Sequence, residues 1–380
     1  MYKFFSLERM GSNNGSFKAE VDGLRFLAIL PVLMTHAYYV FIVNVSENIF
    51  LPEFLEPYFI NGGTGVHIFF VISGYVLGAS FYRAAIRGQE NVELKKYFLR
   101  RAIRLEPPYL ISLLLFASIL YLMGRYEAWE LVEHFLFSAL YLHNIVYGVG
   151  STINAVAWSL EVEFQFYILA PILFYVYRSK SYSVMILLLL MAGFLLLNKF
   201  MGDSYRSLLS QGHFFSLGAV LHLTVQSTSR QLEKLHYLVV VVIFVVALNE
   251  LFSLKTITPN LFSNFYKLLL LFVIFSIAFH KGLIKSLFSN RALYLVGGVC
   301  YSIYLLHYPL LSFLSRLYLG FHEFHGGSFF VFFCGAMVLV LAISFSFAVC
   351  IERPFMNFRG FQSYIASFKG KQKYDDGRPL

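Results

Sequence analysis

The chain has 380 residues, 58% of them hydrophobic, 19% aromatic and only 13% charged, about half the charged share of an ordinary soluble domain. With a mean hydropathy of +0.66, this composition excludes a soluble enzyme and predicts an all-α integral membrane protein. The net charge of +9 would suggest nucleic acid in a soluble protein. Here it has to be sorted by side of the membrane first, and no nucleic-acid partner is expected.

Apolar runs recur at about 24–43, 64–82, 105–123, 156–177, 183–199, 205–225, 236–252, 264–280, 292–318 and 328–351. Each is long enough for a helix to cross a hydrocarbon core about 30 Å thick, some with tilt. They predict a bundle of about ten transmembrane helices. The first follows a polar segment without a small-residue cleavage site, so it reads as an uncleaved helix and not a signal peptide. With a cytoplasmic N-terminus, the inside segments hold Lys3, Arg9 and Lys18, then Arg83, Arg87, Lys95, Lys96, Arg100, Arg101 and Arg104, then Arg178 and Lys180. Arg230, Lys234, Lys281, Lys285, Arg291, Arg353, Arg359, Lys369, Lys371 and Lys373 complete that side. The outside holds Glu47, Glu53, Glu56, Lys255 and the His322–Glu323–His325 stretch. This is the positive-inside pattern, and it places both termini in the cytoplasm. The stretch 131–148 would invert everything after it if it crossed, and is expected to lie flat or re-entrant on the outer side. The expected domains are a cytoplasmic tail over 1–23, a transmembrane domain over 24–352 and a second cytoplasmic tail over 353–380. No internal repeat is visible. Cys300, Cys334 and Cys350 have neither pairing nor metal-ligand spacing, and no metal is expected.

Taken in order, the runs carry polar residues that such helices should not have. Arg25 and His36 lie eleven positions apart in the first run, which places them about 20° apart around a helix and roughly 16 Å apart along it. A shared face of that kind, with Pro31 bending the helix between them, is expected to line a cavity. The alternative is an Arg25 that reaches the surface and pairs with Asp22, and a His36 satisfied in the core. The second run starts at Gly62 and Gly63, where small residues permit close backbone approach to a helix or ligand; His67 there is ambiguous. In "RRAIRLEPPY", Arg101 and Arg104 are three apart and Arg100 and Arg104 four apart, suited to phosphate oxygens or to lipid headgroups. In "WSLEVEFQFY", Ser159 and Glu163 share a face, with Glu163 one step deeper than a Glu161 expected in the outer water layer. Tyr304 and His307 share a face near Tyr301 and Ser302 in "CYSIYLLHYPLL". "IERPF" reads as a helix stop with a local ion pair.

These stretches, in this order, resemble the acyltransferase 3 family of membrane-bound O-acyltransferases, which includes bacterial O-antigen and exopolysaccharide O-acetyltransferases. The resemblance runs from "DGLRFLAILPVLMTH" to "IERPF". The family's arginine, ten residues, histidine motif falls on Arg25 and His36, its glycine pair on Gly62 and Gly63, and its arginine, two residues, arginine motif on Arg101 and Arg104. Its tryptophan-serine-leucine motif and glutamate fall on Ser159 and Glu163, and its late serine-tyrosine stretch on Tyr301, Ser302, Tyr304 and His307. The chain departs from the pattern at His67, Cys300 and Glu161, which bears on acceptor preference. Some relatives carry a fused extracytoplasmic esterase-like domain; this chain is expected to have none.

The resemblance implies a multi-pass enzyme of the plasma (inner) membrane that transfers an acyl group, most often acetyl, from cytoplasmic acyl-CoA to a sugar hydroxyl outside. The acceptor is a polysaccharide or lipid-linked sugar, and acetyl-CoA serves as donor co-substrate without a metal. On that reading Arg101 and Arg104 bind the phosphates of coenzyme A, and Arg25 helps bind the donor or polarises the thioester. His36 acts as general base and Glu163 steadies its imidazolium. Gly62, Gly63, Ser159, Tyr304 and His307 line the cavity. Direct transfer and an acyl-histidine intermediate both stay open. Loop 44–63 and segment 131–148 are expected to hold acceptor selectivity. The alternative is a carrier of a small anion or lipid-linked saccharide without bond chemistry, against which the absence of a repeat counts; a structural or receptor role leaves the buried Arg, His and Glu unexplained.

Overall fold

Helix is the only regular structure among the described residues, as an environment without water demands of a backbone that must satisfy its own hydrogen bonds. The computed structural model describes residues 18–45, 51–201, 206–232, 237–253, 261–280, 282–321 and 328–356. The first half comprises α1 (Ala19–Ile42), α2 (Glu56–Ile60), α3 (Gly63–Ile86), α4 (Leu94–Leu122), α5 (Ala128–Ala139), α6 (His143–Tyr147), α7 (Trp158–Leu169) and α8 (Ile172–Arg178). Next come α9 (Ser183–Met201), α10 (Leu208–Leu232), α11 (Tyr237–Ser253), α12 (Leu261–Ala278), α13 (Leu283–Phe288), α14 (Arg291–Gly298), α15 (Cys300–Phe321), α16 (Ser328–Phe347) and, after a π-helical turn over Ala348–Glu352, α17 (Arg353–Met356).

Seven of the described helices are long and apolar enough to cross a membrane, or up to nine if each of two bent pairs is one crossing. The chain is therefore a multi-pass membrane protein. The tenth expected crossing falls on α11, whose 17 residues stop short of the ~20 that span the hydrocarbon without help. The pair α7 and α8 bends by 48° and the pair α14 and α15 by 68°. Pro171 accounts for the first bend, because it offers no amide hydrogen to the turn before it; Gly297, Gly298 and Val299 form the second. The stretch 131–148 falls on α5 and α6, of 12 and 5 residues, neither long enough to cross.

Three boundaries differ from expectation. The first helix begins at Ala19, inside the predicted tail 1–23. The basic stretch before residue 105 belongs to α4, which starts at Leu94, because Lys, Arg and Leu are good helix formers whatever their charge. "IERPF" does not stop the last helix: the chain passes through the π turn into α17. Residues 1–17 and 357–380, together with Lys255 and the His322–Glu323–His325 stretch, lie outside the described residues.

The helix α1 runs through the middle, packed on α3, α14 and α15, with Leu24, Ala28, Ile29, Ala37 and Phe41 fully buried. Between helices in lipid there is no water-driven attraction, so close packing and interhelical hydrogen bonds hold the bundle. Glycine supplies the first. A Cβ on Gly65 would run into the Ala28 carbonyl of α1, and one on Gly74 into the Phe215 carbonyl of α10, so α3 touches backbone on both sides. Short amides supply the second: Asn61 donates to the Phe252 carbonyl at 2.6 Å, Asn154 to that of Leu305 at 2.9 Å, and Asn264 to the Asn198 side chain at 2.7 Å.

Candidate functional site

Where α1, α3, α4, α7 and α15 meet, they enclose a cavity of about 110 Å³. Its lining mixes charged side chains, Arg25 from α1, Arg101 and Arg104 from α4 and Glu163 from α7, with the apolar Phe69, Phe70, Ile72, Val76 and Leu77 of α3. The three arginines converge because α4 is already helical at Arg101, so a three-residue step turns both guanidinium groups the same way. Arg100 points out into solvent. Arg101 lies 5.3 Å from the Tyr167 ring centre and 5.8 Å from that of Tyr97, geometry that holds a planar cation while leaving its edge donors free.

Asp22 pairs with Arg25, and their side chains are only 2% and 13% exposed. A guanidinium offers five donors, so one carboxylate does not exhaust it. Glu163 accepts hydrogen bonds from Ser73 and, at 2.5 Å, from the Tyr167 hydroxyl. Tyr301 donates to the Leu105 carbonyl at 2.8 Å, tying α15 to α4 beside the cavity. Cys300, at the bend before α15, also lines it. Nearby, Ser302 donates to Glu352 at 2.5 Å inside the bundle.

Ser159 and Tyr304 sit at another part of the same lining. The Tyr304 hydroxyl donates its one proton to the Val156 carbonyl at 2.6 Å, so the Ser159 hydroxyl, also at 2.6 Å, must donate to Tyr304. One turn further along α15 is His307, fully buried, whose Nε2 lies 2.9 Å from Nδ1 of His36. Neither histidine lines the cavity. His36 is half-buried, with Tyr308 edge-on at 5.3 Å.

The structure thus gathers Arg25, Arg101, Arg104, Glu163, Ser159 and Tyr304 around one cavity and sets His36 and His307 together beyond Tyr304. The residue that meets His36 is His307; Glu163 has its contacts with Ser73 and Tyr167. Gly62 packs against Thr35 and Pro31 of α1, next to His36, while nothing lies near Gly63. His67 stacks on Phe214 at 4.1 Å, with His213 on the same ring at 4.2 Å and Lys267 within Coulombic reach of both. Sequence reasoning missed Ser73 and Tyr167, because a serine or tyrosine in an apolar helix carries no spacing signal. Cys300, noted in the sequence only as a departure from the family pattern, was not expected to line the cavity.

Glu161 is not in a water layer. It is fully buried, and its carboxylate accepts from the Asn144 amide at 2.9 and 3.2 Å at the start of α6. That contact fastens the α5–α6 segment to α7. Inside the segment His143 lies 3.0 Å from His134 through Nε2 and 3.3 Å from the Val149 carbonyl through Nδ1, and Tyr147 donates to Glu133 at 2.5 Å. Burial holds the His143 pKa below its ordinary value. Among the described residues no group of three or more His, Cys, Asp or Glu side chains is placed to hold a metal ion.

A multi-pass helical bundle with a cation-rich cavity between its helices defines a class, and comparison with known proteins narrows it. The model of an acyltransferase domain matches residues 18–349, and the chain belongs to the acyltransferase 3 family. A "Putative O-acetyltransferase" of Staphylococcus aureus (strain COL) is 24% identical over 336 residues, covering 78% of this chain and 51% of that protein. The O-acetyltransferase OatA of Staphylococcus aureus (strain NCTC 8325 / PS 47) is 24% identical over 345 residues, covering 83% and 54%. The chain spans about half the length of these curated relatives. No solved structure matches it.

Proposed function

We propose that this protein is an O-acetyltransferase that takes acetyl from acetyl-CoA on the cytoplasmic side of the plasma membrane and places it on a sugar hydroxyl of a polysaccharide or lipid-linked saccharide outside. The reading includes ten crossings with both termini cytoplasmic, α11 acting as a short one, and puts the basic ends of α3 and α4 in the cytoplasm by the positive-inside rule. The observation that carries it is the cavity itself: three arginines and a run of apolar α3 side chains in one lining, with a histidine pair one helical turn beyond its Tyr304. The arginines suit the phosphates of coenzyme A, and the apolar α3 side chains suit the pantetheine chain. Family membership and the names of the relatives agree with the chemistry.

In this mechanism Arg101 and Arg104 bind phosphate oxygens, and Arg25, fixed by Asp22, helps hold the donor along the cavity with its remaining N–H groups. His36 removes the proton of the acceptor hydroxyl. The hydroxyl oxygen bonds to the acetyl carbon, the carbon–sulfur bond breaks, and the proton passes to the departing thiolate, giving the ester and free coenzyme A. Glu163 balances the charge of the arginines.

The test is O-acetylation of surface or secreted polysaccharide in cells making wild type, His36→Ala or Arg25→Ala at matched membrane levels, with acetyl-CoA cleavage by the purified protein alongside. The expected result is loss of the acetyl ester in both variants and slow thioester cleavage by wild type. Undiminished acetylation in His36→Ala, or a wild type that leaves acetyl-CoA intact, overturns the reading and favours a carrier.

A further inference from the structure

The geometry points to His307 as the positioning residue that fixes which nitrogen of His36 acts as the base. This rests on the reaction proposed above and concerns the same site. His307 Nδ1 faces two backbone carbonyls of its own helix, Tyr304 at 2.8 Å and Ile303 at 3.1 Å. A carbonyl oxygen only accepts, so Nδ1 carries the hydrogen. In a neutral imidazole the other nitrogen then holds a lone pair, and His307 Nε2 faces His36 Nδ1 at 2.9 Å. His36 Nδ1 must therefore carry its own hydrogen and donate it. That leaves the lone pair of His36 on Nε2, the nitrogen at the far edge of the ring.

The chain of direction starts in the backbone of α15. The carbonyls of Ile303 and Tyr304 set His307, and His307, together with the Val32 carbonyl of α1 that also hydrogen-bonds the ring, sets His36. A backbone carbonyl cannot flip its polarity, so the register of α15 is converted into a defined base on α1, 271 residues away in sequence. Tyr308 edge-on to His36 limits rotation of that ring from the side. Burial matters as well: His307 is fully enclosed, so water does not compete as an alternative partner for Nε2. With the opposite tautomer, His36 would present an N–H to the acceptor hydroxyl and could not take its proton.

The hydroxyl proton thus goes to His36 Nε2, while Nδ1 keeps its hydrogen bond to His307 throughout. The imidazolium formed has both nitrogens as donors, one to His307 and one to the departing thiolate, to which it returns the proton. His307 touches no reacting atom in this scheme and stays neutral.

The test uses the full-length protein with ¹⁵N-labelled histidine in lipid nanodiscs, the His36 resonances assigned by difference with His36→Asn. Nitrogen shifts report which ring nitrogen is protonated. The expected result is Nδ1–H for His36 in wild type and a mixture of tautomers in His307→Met. With acetyl-CoA as the probe, His307→Met is expected to lower kcat for thioester cleavage by roughly 10²-fold, the lower end of what a general base supplies, with KM for acetyl-CoA unchanged. His307→Gln, whose amide oxygen can still accept from His36 Nδ1, is expected to keep most of the wild-type rate and the Nδ1–H signal. A wild-type His36 protonated at Nε2 overturns the proposal, as does a His307→Gln variant that is folded and as slow as His307→Met. A wild type with Nδ1–H at His36 that cleaves no acetyl-CoA keeps the pairing and overturns the reaction, which separates the two failures.

Discussion

The two ends of α1 solve the same problem in opposite ways. Near its start Arg25 is a full charge held by a full charge, Asp22, with Arg353 and Glu352 close by, all but Arg25 nearly inaccessible. Near its far end His36 is held by an uncharged ring that takes its own orientation from backbone carbonyls. A charge pair inside a bundle tolerates small errors in angle, because Coulomb attraction is broad. A chain of imidazoles does not, because each hydrogen bond fixes a proton. On the reaction proposed above, the first end holds an anionic ligand at any of several donors and the second holds one lone pair in one direction.

Substitutions at the two ends should separate them. The largest effect belongs to the directional end: His36→Ala should lower acetyl transfer by roughly 10²–10⁴-fold, the span a general base contributes, measured at equal protein in the membrane. Only a modest fall in stability, about 1–3 kcal/mol for the neutral His307 Nε2 left without a partner, would sharpen the contrast, since nothing charged is orphaned. At the other end Asp22→Asn should reverse the pattern. Removing one partner of a buried ion pair costs about 3–5 kcal/mol, so a large fall in thermal stability in detergent is expected, and a stable Asp22→Asn would break the comparison. Arg101→Gln and Arg104→Gln should be milder, each raising KM for acetyl-CoA about tenfold with kcat nearly kept, in line with one charge-assisted hydrogen bond. The KM of wild type should also rise with salt.

The smallest effect is expected in the α5–α6 segment, which belongs to neither end. His143 has a pKa held below the ordinary 6.5 by burial. The opened segment then binds a proton that the closed one refuses, so its stability is complete above about 6.5 and declines as pH falls below that value. His134, Glu133 and Tyr147 face the same ring or its neighbour. Amide protection over 131–148, taken relative to the intrinsic exchange rate at each pH, should fall between pH 7 and 5 while protection in α1 stays constant. An equal change of protection in both would dissolve the distinction.

Much of this arrangement is legible in the amino-acid sequence. Regular periods carry over well: the three-residue step of Arg101 and Arg104 and the four-residue step of Ser159 and Glu163 put each pair on one face of a real helix, and all four line the cavity. Pairings across the bundle were not legible. The contact of His36 with His307, and of Glu163 with Ser73, depends on how helices pack, and no spacing along one helix encodes it. Burial of Glu161 was hidden for a related reason: its partner is a backbone amide, and backbone groups look the same at every position. The start of α4 at Leu94 was obscured by charge, which signals a membrane surface but does not oppose helix.

The clasp of Ser159, Tyr304 and the Val156 carbonyl has a consequence for the membrane as an insulator. Each elementary charge moved across it is worth about 2.3 kcal/mol per 100 mV, so any protein that opened a continuous wet path would drain the cell's stored potential. The clasp uses up the hydroxyl protons of both residues in fixed directions, one into a carbonyl and one into the other hydroxyl. Neither hydroxyl is then free to pass a proton along this part of the lining, so the clasp removes two side chains from any such relay.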